Sequence, residues 1–164
     1  MRLNLRDIIE IPGASLPFEC ELGTDGLDFP SVERYTALPR AEGRVTNEAG
    51  VLHLTGTLTA DMLCICDRCG SEFPSTKVTK LDATIVEEDA GANPELFVTE
   101  GDEVDLYEML STLFILDMET KFLCTPECKG LCPTCGKNLN LGPCTCRKSL
   151  DPRFAVLEQL LDKE

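Results

Sequence analysis

Two hydrophobic periods run along this chain. Over residues 16–22, Leu16, Phe18, Cys20 and Leu22 alternate with Pro17, Glu19 and Glu21, the period of a strand with one face buried. A longer alternation follows. Leu52, Leu54, Leu58, Ala60, Met62 and Cys64 fall on one face, and His53, Thr55, Thr57, Thr59 and Asp61 on the other, a pattern that suits a half-solvated strand. Ahead of it, RAEGRVTNEAGVLHL reads as a strand, a turn at Asn47–Gly50, and the start of the long strand. After it, CDRCG is a tight turn and EFPSTKVTKLDATIVEE returns as the next strand. Its alternation breaks near Pro74, where the missing N–H predicts a sheet edge or a bulge.

The period then changes. Residues 88–104 are acidic and rich in turn formers, with a short apolar patch at Leu96–Val98. Beyond them Leu106, Met109, Leu110 and Leu113 recur at i, i+3, i+4 and i+7, with Asp105 placed to cap and Glu108 three residues on. This predicts a helix over about 105–118. At the far end, LDPRFAVLEQLLDKE predicts a second helix, with Asp151 as cap, Pro152 at the first helical position and an apolar stripe of Phe154, Leu157 and Leu161. The expected fold class is α+β: a twisted antiparallel β-sheet or partly closed barrel, one or two helices, and a C-terminal zinc-binding segment. The expected organisation is an acidic β-rich body over 1–120, a cysteine-rich segment over 121–150 and a terminal helix over 151–164.

Composition narrows the setting. A chain of 164 residues, 43% hydrophobic and without Trp, is one domain or a domain with a small appendage, built on an aliphatic core. No run approaches the roughly 20 apolar residues of a membrane span. The opening MRLNLRDIIEIPGA has no apolar h-region followed by a small-residue cleavage site. A cytoplasmic location is therefore expected, where thiols stay reduced and clustered cysteines more often bind metal than pair. The net charge of −14 is uneven: residues 1–120 hold 8 Lys and Arg against 24 Asp and Glu, a net of −16, and residues 121–164 hold 7 against 5, a net of +2. Such a body repels bare phosphate and attracts basic proteins.

The chemistry sits in the ten cysteines. Cys20 and Cys64 share the parity of the apolar residues around them and read as small buried hydrophobes. The other eight fall into close pairs: Cys66–Cys69, Cys124–Cys128, Cys132–Cys135 and Cys144–Cys146. Zinc takes four thiolates in a tetrahedron, usually from two close pairs on two segments. CPTCG, with Gly136 free to take positive φ, and CTC eight residues later make Cys132, Cys135, Cys144 and Cys146 the first expected site. Cys66, Cys69, Cys124 and Cys128 form a second site if paired across the chain. The alternative joins Cys124 and Cys128 to the first cluster and leaves Cys66 and Cys69 as a free dithiol. The C-x3-C-x3-C-x2-C run does not match the usual iron–sulfur spacings, and C-x-C is an awkward disulfide ring. One or two zinc ions are expected, with structural roles, because four thiolates close the shell and weaken zinc as a Lewis acid.

No catalytic constellation is visible: there is no glycine-rich phosphate loop, no G-x-S-x-G, and His53 is the only histidine. A non-enzymatic protein is expected, with no small-molecule substrate and no membrane partner. Lys129, Lys137, Arg147 and Lys148 are candidate RNA contacts, although with Lys121 they more simply offset the two formal negative charges of each Zn(Cys)4 unit, since no aromatic residues interleave to stack bases. Phe122 is the single candidate for that role. A rival expectation is a thiol redox or metal-responsive protein working through Cys66–Cys69, with Arg68 beside Cys69 lowering a thiol pKa.

Taken in order, CDRCG at a hairpin turn, an acidic loop, DLYEML opening a helix, CKGLCPTCGKNLN, a closing CTC and DPRFAVLEQL resemble the YceD-type large ribosomal RNA subunit accumulation protein family. The resemblance covers residues from about 50 to the C-terminus. It implies a role in accumulation of large-subunit (23S-type) ribosomal RNA and so in ribosome biogenesis, and it assigns no catalytic residue. The partner it implies is a ribosomal protein or a large-subunit rRNA–protein assembly intermediate.

Overall fold

The computed structural model describes residues 1–86 and 96–146. The acidic stretch 87–95, the candidate contacts Arg147 and Lys148, and the expected helix over 151–164 lie outside the described residues. In chain order the elements are β1 (Arg2–Asn4), α1 (Arg6–Ile9), β2 (Ser15–Glu21), β3 (Val32–Tyr35), β4 (Arg40–Glu48), β5 (Val51–Ile65), β6 (Glu72–Val86), β7 (Leu96–Val98), β8 (Glu103–Asp105) and α2 (Leu106–Asp117), with a 3-10 turn at Leu139–Leu141.

The long alternation becomes the centre of the fold. β5 pairs antiparallel with β6 from Leu52↔Ile85 to Ile65↔Glu72, and with β4 from Arg40↔Thr59 to Glu48↔Val51. The sheet runs β2-β4-β5-β6-β7, with β3 against the far end of β5. The fold is α+β, and among the described residues the sheet stays open and does not close into a barrel. One strand departs from the antiparallel expectation: β7 lies parallel to β6 over Thr84–Val86. A parallel neighbour cannot be joined through a tight hairpin, and strand periodicity alone does not tell a parallel partner from an antiparallel one. Pro74 sits opposite Leu63 in unbroken register. Among the described residues no strand lies beyond β6 from Glu72 to Ala83, so the proline marks an edge and not a bulge.

Every second residue of β5 faces inward. Leu54, Leu58, Ala60, Met62 and Cys64 are fully buried together with Leu81 and Ile85 of β6. α2 covers this face with Leu106, Met109, Leu110 and Phe114, and the Phe114 ring meets Phe29 edge-on at 5.9 Å. Asp105 caps the helix by accepting from the N–H groups of Tyr107 and Glu108 at 3.0 and 3.3 Å, which satisfies donors the first turn leaves free. At the other end Lys77, nearly buried, donates to Asp117 and Glu119 at 3.1 and 3.0 Å and fastens the helix to β6.

Two further devices shape the body. Gly43 and Gly56 face each other across β4 and β5. A Cβ on Gly43 would collide with the Thr55 carbonyl and one on Gly56 with the Glu42 carbonyl, so the strands cross at a separation only glycine allows. The buried Asn47 amide donates to the Ile8 and Ile9 carbonyls at 2.8 and 2.7 Å and accepts from Gly50 N–H at 2.8 Å. It thereby holds α1 against the β4–β5 turn. Among the described residues no helix is long and apolar enough to cross a membrane.

Candidate metal centres

The β5–β6 hairpin ends in Cys66-Asp67-Arg68-Cys69-Gly70-Ser71, and the same turn recurs at Cys132-Pro133-Thr134-Cys135-Gly136-Lys137. The two knuckles share their hydrogen bonds. Cys66 N–H donates to Ser71 O at 2.9 Å and Gly70 N–H to Cys66 O at 2.8 Å; Cys132 N–H donates to Lys137 O and Gly136 N–H to Cys132 O, both at 2.9 Å. Gly70 and Gly136 hold φ of 67° and 70°, a conformation that costs other residues a Cβ clash. Such a turn aims backbone N–H groups at its first sulfur, as Thr134 N–H does toward Cys132 Sγ at 3.4 Å.

Each knuckle meets a second pair. Cys66, Cys69, Cys124 and Cys128 bring their sulfurs within 4.8 Å of one another, and so do Cys132, Cys135, Cys144 and Cys146. We call these the inner and outer quartets. In the inner one, Cys66 Sγ lies 3.7 Å from Cys128 Sγ and Cys69 Sγ 3.7 Å from Cys124 Sγ. A tetrahedron with metal–sulfur bonds of about 2.3 Å has edges of about 3.8 Å, so the residues present fit a tetrahedral thiolate-bound ion.

The inner quartet is built from distant parts of the chain. Cys66, Cys69 and Cys128 are buried and pack with Phe73 and Leu123. Asp67 fixes the second segment: its N–H donates to Phe122 O at 2.9 Å, and its carboxylate accepts from Phe122 N–H and from the Ser31 hydroxyl, both at 2.6 Å. Those bonds, the Ser31 hydroxyl foremost, hold the Asp67 carboxyl below its ordinary value. Arg68 donates to Cys128 O at 2.9 Å, and Gly130, at φ of 73°, stacks on the Arg68 carbonyl where a Cβ would stand 3.0 Å from that oxygen.

The outer quartet is local. Its ligand positions all lie within fifteen residues; Cys132 is buried, Cys144 and Cys146 are half-buried and Cys135 is exposed. It rests on the inner one through Leu139 N–H to Gly130 O at 2.9 Å and Asn138 Nδ2 to Ser71 Oγ at 3.2 Å.

Electrostatics distinguish the positions within each quartet. Burial raises the Cys66 thiol, but backbone N–H groups of Cys124, Arg68 and Cys69 outweigh it and draw its pKa down to about 6. The N–H groups of Cys135 and Thr134 do the same for Cys132, also to about 6. Burial and the neighbouring sulfurs push Cys124 up to about 12, and the Cys135 sulfur followed by burial pushes Cys146 up to about 12. Four sulfurs this close cannot all carry charge unless a cation sits among them.

The profile of the family described as "Large ribosomal RNA subunit accumulation protein YceD" matches residues 54–161, a span that begins on β5 and takes in both quartets. The chain belongs to the YceD family. An uncharacterized protein of Mycobacterium tuberculosis is 29% identical over 147 residues, which covers 85% of this chain and 69% of that protein. A Zea mays protein named large ribosomal RNA subunit accumulation protein YCED homolog 1, chloroplastic, is 24% identical over 136 residues, 63% of this chain and 46% of its own length. Its Arabidopsis thaliana namesake is 34% identical over 73 residues, 42% of this chain and 23% of its own. No solved structure matches the chain.

Within this YceD-family fold the remaining candidates take varied places. Cys66 and Cys69 lie with Cys124 and Cys128 instead of standing apart as a dithiol, and Arg68 spends its guanidinium on a carbonyl. Cys64 is fully buried as expected of a small hydrophobe, whereas Cys20 is only half-buried. Phe122 is buried against the main core and so is no stacking platform, because the Asp67 clamp draws its backbone inward. Lys129 is exposed, and Lys137 is exposed with its Nζ donating to Pro143 O at 2.9 Å. His53 lies on the outer sheet face, its Nδ1 3.4 Å from Thr84 Oγ1. Sequence reasoning passed over Asp67, Asn138 and Asn140. The asparagines of KNLNLG carry a turn signal, but nothing local shows which donors they meet.

Proposed function

We propose that this chain is a non-enzymatic factor in ribosome biogenesis that supports accumulation of large-subunit (23S-type) ribosomal RNA by holding a ribosomal protein or an rRNA–protein assembly intermediate. The observation that carries the reading is the family match over residues 54–161, together with the printed names of the plant relatives. The chain's own chemistry agrees with it. Residues 1–120 carry a net charge of −16, which favours a cationic protein partner, while Lys129 and Lys137 present positive charge at the cysteine-rich end. In this reading the protein acts in the cytoplasm.

Two structural zinc ions complete the proposal, one held by Cys66, Cys69, Cys124 and Cys128 and the other by Cys132, Cys135, Cys144 and Cys146. Zinc contributes no step of chemistry here. When bound it neutralises thiolates and closes two loops. Residues 123–146 bury little apolar surface besides the cysteines themselves, so ligation stands in for a hydrophobic core, with apparent metal affinities on the order of 10–16 kcal/mol available to fold such segments.

The test is affinity capture of assembly intermediates with the zinc-loaded protein, at low and at high salt. Retention of large-subunit precursor or of a basic ribosomal protein at low salt, weakened at high salt, is the expected outcome. Capture of neither at low salt overturns the reading. Elemental analysis of the purified protein is expected to give two zinc ions per chain.

A further inference from the structure

The turn Asn138–Leu141 belongs to the loop that the outer quartet closes, between Cys135 and Cys144, yet its side chains reach the inner quartet. Asn140 Nδ2 lies 3.2 Å from Cys128 Sγ. Its other amide atom, Oδ1, accepts from Lys129 N–H at 2.8 Å. A backbone N–H only donates, so the orientation of the amide is fixed and its N–H must point at the sulfur. Asn138 secures the turn: its Oδ1 accepts from Asn140 N–H at 2.9 Å and its Nδ2 reaches Ser71 Oγ at 3.2 Å on the inner knuckle. Leu139 N–H bonds Gly130 O, two residues past Cys128.

We infer that the two centres are coupled, the outer metal stabilising the inner one by holding Asn140 against the Cys128 thiolate. The inference rests on the reading of both quartets as metal centres. With the outer ion bound, residues 136–144 form a closed loop and Asn140 is presented to the sulfur at little entropic cost. With it gone, ordering the loop opposes that hydrogen bond. A donor to a ligating thiolate is a charge-assisted bond, and such outer partners commonly change metal affinity by 10–100-fold. Asn140 is thus a positioning residue. The exposed Cys135 and half-buried Cys144 and Cys146 admit a competing chelator before the buried Cys66, Cys69 and Cys128 do, so the outer ion leaves first and its loss loosens the inner one.

The experiment follows zinc release from the full chain to a chromophoric chelator under reducing conditions, with bound ions counted by native mass spectrometry. The wild type is expected to release two ions in two phases, outer then inner. Three variants are compared: Asn140→Ala, Asn140→Asp, and the double variant Cys144→Ser with Cys146→Ser. In the double variant, which starts with one ion, the rate of inner release is expected to match the second phase of the wild type. Asn140→Ala is expected to lower the overall affinity for the two ions about tenfold, read by equilibrium competition with the same chelator, and to have little effect when added to the double variant. Asn140→Asp is expected to lower it further, since a carboxylate then faces the sulfur. Circular dichroism of the sheet confirms that each variant is folded. An overall affinity for the two ions in Asn140→Ala and Asn140→Asp equal to that of the wild type overturns the coupling while leaving both centres standing. A wild-type chain that purifies with no metal overturns the centres and the coupling together.

Discussion

The inner and outer quartets begin with the same knuckle and end differently. One hangs its knuckle on the longest hairpin of the sheet and draws its second pair from beyond α2; the other is made entirely from residues 132–146. The first closes a chain segment of about sixty residues, the second a loop of about fifteen. Closure entropy rises only slowly with length, so length alone separates them little. Their surroundings separate them more: the inner sulfurs pack against Phe73 and Leu123 and are clamped by Asp67, while the outer ones face water on Cys135. With an ion in each quartet, as proposed, identical local chemistry would therefore fasten the body in one place and stiffen a local loop in the other.

The strongest way to break this contrast is to remove one ligand from each. Cys66→Ser and Cys144→Ser should each lower the zinc content from two ions to one by elemental analysis. Only Cys66→Ser should destabilise the sheet, by about 3 kcal/mol or more, since it releases the segment after α2 from the hairpin tip. Thermal unfolding monitored on the β signal distinguishes them. Equal losses of stability would show that the outer centre supports the body as much as the inner.

Acidity should weaken both alike. Cys124 and Cys146, at about 12, enter as neutral thiols near neutral pH and must each lose a proton when metal binds. Protons compete with the ion, so affinity falls about tenfold or more for each pH unit of acidification. Below about pH 6, where Cys66 and Cys132 also take up protons, the slope should steepen by a further tenfold per unit. Chelator competition between pH 8 and pH 5 measures it.

The shared knuckle gives a sharper comparison. A Cβ at Gly70 or Gly136 meets nothing within 4 Å, so alanine there tests backbone conformation alone. Each substitution should cost its own centre about 1–2 kcal/mol, read as faster zinc release of similar size in both. A large difference between them would mean that the knuckles are not equivalent. The smallest effect belongs to the body: Asp105→Ala removes the cap of α2 and should cost about 0.5–1 kcal/mol of unfolding free energy, with zinc release unchanged.

The main sheet was legible because β5 states its faces residue by residue. Leu52 to Cys64 alternate without exception except at Gly56, and that exception is itself informative, since it marks the crossing with Gly43. The capping pair Asp105 and Glu108 announces α2 through local chemistry alone. Less was legible where structure depends on distant partners. β1, β3, β7 and β8 are three or four residues long, too short for a period to emerge, and they exist because another strand offers them bonds. For the quartets, spacing indicated which cysteines sit close in sequence. It left open whether Cys66 and Cys69 meet Cys124 and Cys128, because that depends on α2 returning the chain to the hairpin tip and on Asp67 receiving it. Asn140 was invisible for the same reason: its meaning comes from a sulfur twelve positions away.

The β5–β6 ribbon carries a consequence of scale. From Leu52 to Ile65 it runs thirteen steps, about 40 Å at the usual rise of a strand. The inner knuckle occupies one end, and the turn between Glu48 and Val51, held by Asn47, occupies the other. The hairpin is thus a ruler with a cysteine cluster at one tip and the β4–β5 turn at the other. A small visitor touches one tip only; anything that reads both at once has to be of macromolecular size.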